Sequence, residues 1–311
     1  MRKSALVLAV ALMALVLIAS STTAGSYPEK SISLICWSSA GSGHDLMARM
    51  VAKVGEKYLG QPIAVLNKKG GKGKVAMSYV LNKKPDGYTI MTNTRSMTER
   101  LCDPSAPINV DSFHYVCRVV IDPFVVLVNK DSQFNTLQEL IAYAKKHPNK
   151  LKIGGYSVQS VDQMLVNKIM KATGIQMNYV PYKGGMEPVV AVLGGHIDVA
   201  VANPSEMIAN YESGNVKVLA TCSEKRFAPF TEAPTLKEVG IDVTEEHWRG
   251  IMASAEVPMD IIAVLDEAFR KTIQDPEFQQ FLKKANMYDG YMPHDKFRAL
   301  VVSQTEESCK K

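Results

Sequence analysis

The first hundred residues repeat one local order: a short apolar run, a glycine-rich turn, then residues at helical spacing. Residues 32–37 read as a buried strand, and a Gly/Ser turn occupies 38–44. From Asp45 onward, apolar residues fall at 46, 47, 50, 51 and 54, the spacing of one helix face. A second strand is expected at 63–66, a second turn over Asn67-Lys68-Lys69-Gly70-Gly71-Lys72-Gly73, and a second helix at 74–82. Pro85-Asp86-Gly87 breaks the chain before a third strand at 88–92. Helices between successive strands require crossover connections and therefore parallel strands. The expected class is α/β.

The pattern resumes near residue 120. Strands are expected at 124–128, 151–154, 177–180, 197–202 and 216–221, and helices at 137–146, 161–172 and 186–193, with Thr136 as an N-cap. A Pro-rich stretch at 226–234 leads to a further strand at 248–253 and helices at 258–274 and 276–285. Two α/β lobes joined by more than one crossing segment make a hinged ligand clamp. The boundaries read from these breaks give one lobe from 25–122 plus 232–311, and a second from 123–231.

Arg2 and Lys3 precede an uncharged apolar run at 5–19, and Ser20-Ser21-Thr22-Thr23-Ala24 closes it. This is the form of a secretory signal peptide, with cleavage expected after Ala24 and export to a periplasm or its equivalent. The run is shorter than the ~20 residues of a membrane-spanning helix; an N-terminal anchor helix is the alternative. No Cys stands in the exit region, so no lipid anchor is expected. Removing 24 of 311 residues leaves 287, a length that suits two ordinary domains or one large one.

The formal charge is +5, or +3 without Arg2 and Lys3, and no run of five or six like charges occurs, so no nucleic-acid partner is expected. Cys36, Cys102, Cys117, Cys222 and Cys309 have no Cys-x-x-Cys spacing, so neither a metal site nor a redox motif is expected. In an oxidising compartment Cys102 and Cys117 are near enough in sequence to close a small loop, while Cys36 reads as a buried hydrophobe.

The turn Ser38-Ser39-Ala40-Gly41-Ser42-Gly43-His44-Asp45 joins a strand's carboxyl end to a helix N-terminus, where open α/β sheets bind ligands. Free N–H groups and the helix dipole favour an anion there. Gly41 and Gly43 permit close approach, and Ser38, Ser39 and Ser42 add hydroxyls. A plain turn that binds nothing is the alternative. Asp45 either caps its helix or faces a ligand ammonium or hydroxyl, and His44 either touches the ligand or stands in solvent. Asn93, Thr94 and Ser96 follow the third strand. In the second unit Ser157, Gln159 and Ser160 precede a helix, which they cap unless they grip a second carboxylate. Tyr182 and Lys183 end another strand, with Tyr182 placed to lie along an apolar ligand body and Gly184 allowing the backbone to approach. Asn203 follows the strand at 197–202. The chain has no Gly-x-Ser-x-Gly elbow, no Walker loop and no His-Glu-x-x-His, and the Gly-x-Gly at 41–43 lacks a third glycine because position 46 is Leu. An enzyme is not expected.

Taken together and in order, several segments resemble the solute-binding proteins of tripartite tricarboxylate transporters, the Bug or TctC-like family. The segments are Tyr27-Pro28-Glu29-Lys30-Ser31-Ile32, Ala40 to Asp45 ahead of Ala48-Arg49, Asn67 to Gly73, Pro85-Asp86-Gly87-Tyr88-Thr89 and Tyr182-Lys183-Gly184-Gly185. Gly194-Gly195-His196-Ile197-Asp198, Ala233-Pro234-Thr235-Leu236-Lys237-Glu238-Val239-Gly240 and Trp248-Arg249-Gly250 complete the set. The chain departs from the family pattern at Ala40, Ser42, His44 and Gly71, where the family has Pro, Gly, a small residue and commonly Ala.

The resemblance implies a two-lobed, periplasmic binding protein type II-like fold with the ligand in a cleft between lobes. It further implies that Asn67, Gly70 and Gly73 face the first turn across the ligand. The implied partners are a small organic acid and the membrane permease subunits, the protein acting as a single copy with no metal or catalytic cofactor. A sensor docking on a histidine-kinase receptor is the alternative, and a secreted hydrolase a more distant one.

Overall fold

The computed structural model describes residues 27–102, 107–158 and 160–309. The export signal expected at 1–24 and the candidate Gln159 lie outside them. The first lobe opens with β1 (Ile32–Cys36), α1 (Gly43–Leu59), β2 (Ile63–Asn67), α2 (Lys74–Leu81) and β3 (Thr89–Thr94). β1 pairs in parallel with β2 on one side and β3 on the other, as the helical connections require. Ser42 caps α1 by accepting a hydrogen bond from the Asp45 N–H, and Gly60 ends the helix at a left-handed φ of 69°. Met47, Ala48, Val51 and Val54 on its inner face enter the largest core cluster.

β4 (Phe113–Pro123) runs out of the first sheet and through Phe124 into β5 (Val125–Asn129) of the second. The second lobe continues with α3 (Leu137–Lys146), β6 (Lys152–Tyr156), α4 (Val161–Thr173), β7 (Asn178–Tyr182), α5 (Met186–Leu193), β8 (Val199–Ala202), α6 (Pro204–Glu212) and β9 (Val216–Thr221). The chain returns through β10 (Glu246–Ser254) and ends with α7 (Met259–Gln274), α8 (Pro276–Ala285), β11 (Tyr288–Pro293) and α9 (His294–Cys309).

The first sheet has the order β11-β4-β10-β3-β1-β2 and the second β7-β6-β8-β5-β9. Only part of each is parallel. β10 runs antiparallel to β3 and β4, and β5 antiparallel to β8 and β9, because the chain enters and leaves the second lobe in opposite directions. Helices cover both faces of each sheet. In β5, Val126 and Val128 enter one core while Val125 and Leu127 enter the other, which explains its unbroken apolar run. Leu236, Ile241 and Val243 pack into the second core, and Thr221 bridges Thr235, so the chain rejoins the first sheet at Glu246 rather than near 232.

Two further ties hold the C-terminal helix. Lys168 of α4 contacts Glu245 at 2.8 Å and Glu307 of α9 at 2.9 Å, and buried Arg95 donates to Glu245 at 3.1 Å. Cys102 is bonded to Cys309, with Cα atoms 5.2 Å apart. The expected pairing with Cys117 does not form, because Cys117 is a buried thiol on β4. Among the described residues no helix is long and apolar enough to cross a membrane.

Candidate functional site

A cavity of about 580 Å³ lies between the lobes. The first-lobe turn from Ser38 to His44 forms one wall, and β10 contributes His247 and Arg249. The opposite wall is built by the first turns of three second-lobe helices: Ser160 and Asp162 at α4, Gly185 and Met186 at α5, and Asn203, Ser205 and Glu206 at α6.

Asp45 shapes the first-lobe turn from behind. It is 1% exposed, and its carboxylate accepts from Gly41 N, Arg49 Nε and Asn67 Nδ2, each at 2.8 Å. Burial pushes the Asp45 carboxyl up, but these donors outweigh it and hold the group below its ordinary range. Gly41 takes a left-handed φ of 78°. The N–H groups of Gly43 and His44, first in α1, have no preceding turn to bond and begin the helix on the cavity side. A Cβ on Gly43 would stand 3.7 Å from both Arg249 Nη2 and Ser205 Oγ, so the two walls nearly touch here.

The floor is charged. Arg249 Nη2 donates to fully buried Asp122. Around this pair, Arg249 Nε, Asp122 Oδ1, His44 Nε2, His247 Nδ1 and Trp37 Nε1 are buried without a hydrogen-bond partner. An unpaired buried polar atom costs about 1–3 kcal/mol, and four of these five residues, all but Asp122, line the cavity. Burial, reinforced by the Arg249 charge, holds His44 well below the imidazole range and His247 down to about 3; both are neutral at pH 7. Burial pushes Asp162 up to about 6, and burial with the Asp162 charge pushes Glu206 up to about 8. The Glu206 carboxyl accepts from Asn203 N at 3.1 Å and lies over Gly185, where a Cβ would collide with it.

Of the residues singled out from sequence, Ser38, Gly41, Ser42, Gly43, His44, Ser160 and Asn203 line the cavity, with Thr94 and Ser96. Ser39 and Ala40 are exposed on the same turn. Asn67 stands behind the turn with Asp45 and also donates to Ser38 O at 3.1 Å. Gly70 and Gly73 shape the second turn at φ 130° and 98°; Gly73 packs on Met97 and Trp37. Asn93 is buried within β3 opposite Gly250. Ser157 donates its N–H to Tyr182 O at 2.9 Å, and Lys183 and Gly184 form the turn that starts α5. Tyr182 faces a separate shallow hollow beside Met186 and Val190. Asn203 directs its amide to Asp122 O and Pro123 O, joining the second lobe to the crossing strand.

Trp37, Asp162, Glu206, His247 and Arg249 were not anticipated at the site. A signal existed for the floor only in part: Asp122 and Arg249 are opposite charges set among apolar residues, and such charges are buried only when paired, but His114, Arg118, Glu246 and His247 interrupt the same strands, so the pairing itself is not legible.

The family model described as a tripartite tricarboxylate transporter family receptor matches residues 47–310. A Cupriavidus necator protein described as the UPF0065 protein in the gbd 5' region is 32% identical over 275 residues, covering 86% of this chain and 82% of the relative. A TctC solute-binding protein from Polaromonas superposes with a TM-score of 0.80 at 29% identity, covering 91% of this chain and 98% of that one. An R. palustris protein solved with adipate shares the fold at a TM-score of 0.79 and 23% identity, covering 91% and 97% of the two chains. With a match across most of its length and this two-lobed architecture, the chain belongs to the TctC, or Bug-like, family of tripartite tricarboxylate transporter receptors.

Proposed function

We propose that this chain is a periplasmic receptor that captures a small organic carboxylate between its lobes and delivers it to a tripartite tricarboxylate-type membrane transporter. One observation carries the reading. The turn at 41–44 sets the leading N–H groups of α1 at a cavity that also holds unpaired Trp37 Nε1, His44 Nε2 and Arg249 Nε. Such a concentration of donors suits an oxyanion. Family membership supports the transporter as partner, and the adipate held by a protein of the same fold agrees with the ligand class. The serines of the turn are poor candidates for nucleophiles: the Ser38 and Ser42 hydroxyls bond each other at 2.8 Å, and Ser38 also contacts Cys36 Sγ, so neither is joined to a histidine base.

The test is a thermal-shift and calorimetric panel on mature protein unfolded and refolded to strip any ligand. A carboxylate at a hundredfold over its Kd stabilises by about 2.7 kcal/mol, and its methyl ester binds at least tenfold more weakly. An ester that matches its parent acid overturns the reading.

A further inference from the structure

Two carboxyl groups on the second-lobe wall are more than a carboxylate receptor requires. Asp162 and Glu206 both line the cavity, from α4 and α6. Asp122 already matches the only buried cation of the floor, Arg249, among the described residues. His44 and His247 carry no charge at pH 7, and Lys284 stands exposed at the rim. The walls therefore differ in charge. The first lobe brings N–H and hydroxyl donors and no carboxyl to the cavity, whereas the second brings both acids, on helices whose N-termini are already capped, beside the Ser160 and Ser205 hydroxyls and the N-terminus of α5.

These acids are held in place. Asp162 Oδ1 accepts from Tyr156 N at 3.0 Å, and the Glu206 carboxyl fills the space left by the missing side chain of Gly185. The cavity has a ligand signature independent of the acids: His44 Nε2 and Arg249 Nε are unpartnered on side chains 5% and 7% exposed. A second ligand carboxylate set against Asp162 and Glu206 would add negative charge to a wall that already carries it, whereas an ammonium would complete it.

Building on the carboxylate reading above, we infer that the ligand is an amino carboxylate, its carboxylate held by the turn at 41–44 and its ammonium by Asp162 and Glu206. The raised affinity of Glu206 for its proton agrees with this geometry. Entry of an ammonium drives that proton off, while entry of a second carboxylate keeps it on.

The experiment is isothermal titration of ligand-stripped mature protein at pH 7.5 in phosphate and in Tris, whose ionisation heats differ. Succinate, glutarate and adipate are each compared with the ω-amino acid that replaces one carboxylate by an ammonium, and with the corresponding n-alkylamine. In at least one set the amino acid binds tenfold or more tighter than the diacid and releases a fraction of a proton into the buffer. E206Q and D162N each weaken the amino acid tenfold or more and shrink its preference over the diacid. A merely structural loss would lower both ligands alike. G185A, which evicts the Glu206 carboxyl without changing any charge, gives the same loss and serves if E206Q does not fold. A diacid that binds as tightly as its amino acid, with no proton released, overturns the inference and leaves the carboxylate reading intact. An alkylamine that matches the amino acid overturns the carboxylate reading instead. A panel in which nothing binds overturns both.

Discussion

Replacing one member of the Asp122–Arg249 pair is expected to destabilise the protein far more than replacing both. Asp122 is fully buried and Arg249 is 7% exposed, so each charge has surrendered nearly all its water. Burial pushes the Asp122 carboxyl upward even with Arg249 bonded to it, so the attraction does not fully offset the desolvation. Deleting one partner strands the other, a loss of about 3–5 kcal/mol. That is about a fifth or more of the roughly 5–15 kcal/mol that holds a typical protein folded. D122L and R249M should each show this loss, and D122L/R249M should return to within about 1 kcal/mol of wild type. Urea unfolding followed by tryptophan fluorescence reads it, since Trp248 is buried on β10 against Phe297. Arg249 also lines the cavity, so the double variant should regain stability without regaining ligand affinity. Single variants that lose less than about 1 kcal/mol, or a double variant as unstable as the sum of the singles, would refute the reasoning.

Three further outcomes are expected. G43A should keep ligand affinity within severalfold, because its methyl meets Arg249 and Ser205 at ordinary contact distance, while G43V wedges the walls apart and abolishes binding in a protein that still melts cooperatively. Burial pushes the Glu206 carboxyl up from its ordinary 4.5 to about 8 in the folded state, so its stabilising contribution is present in full below about 4.5 and lost as pH rises through about 8. The melting temperature should therefore fall across that window, and E206Q should flatten the fall. Reducing the Cys102–Cys309 bond frees a loop of 207 residues and should lower stability by roughly 2–4 kcal/mol, an effect that C309S reproduces and that added reductant does not deepen.

The elements that sequence reading placed well are those with a local cause. The apolar runs of β1, β2 and β5, the glycines of the first turn and the Thr136 cap each act within a few residues. β4 escaped notice because His114, Arg118 and Asp122 interrupt it, and their partners are distant: Arg118 donates to Gly290 O, and Asp122 pairs with Arg249. β11, Tyr-Asp-Gly-Tyr-Met-Pro, has no alternation of its own and is a strand only because β4 lies beside it. The cavity floor was hidden for the same reason, since its register brings His247 opposite Asp122 across more than a hundred residues. The disulfide was misread because proximity in sequence stood in for proximity in space.

β4 and β10 are neighbours in one sheet, and their last paired residues, Pro123 with Glu246 and Asp122 with His247, stand where the chain passes between lobes. The lobes thus hang on a two-stranded ribbon rather than on independent tethers. A hydrogen-bonded ribbon strongly resists sliding of one strand along the other and in-plane bending, but flexes readily across its flat face. Such a ribbon would leave fewer soft rotations than two bodies on loose strings have. Any opening and closing would follow a fixed arc, and the apposition of Gly43 with Ser205 would recur at the end of every stroke. Mechanically, such a ribbon would make the molecule a gauge: what it would measure is whether a guest lets that arc run to its stop.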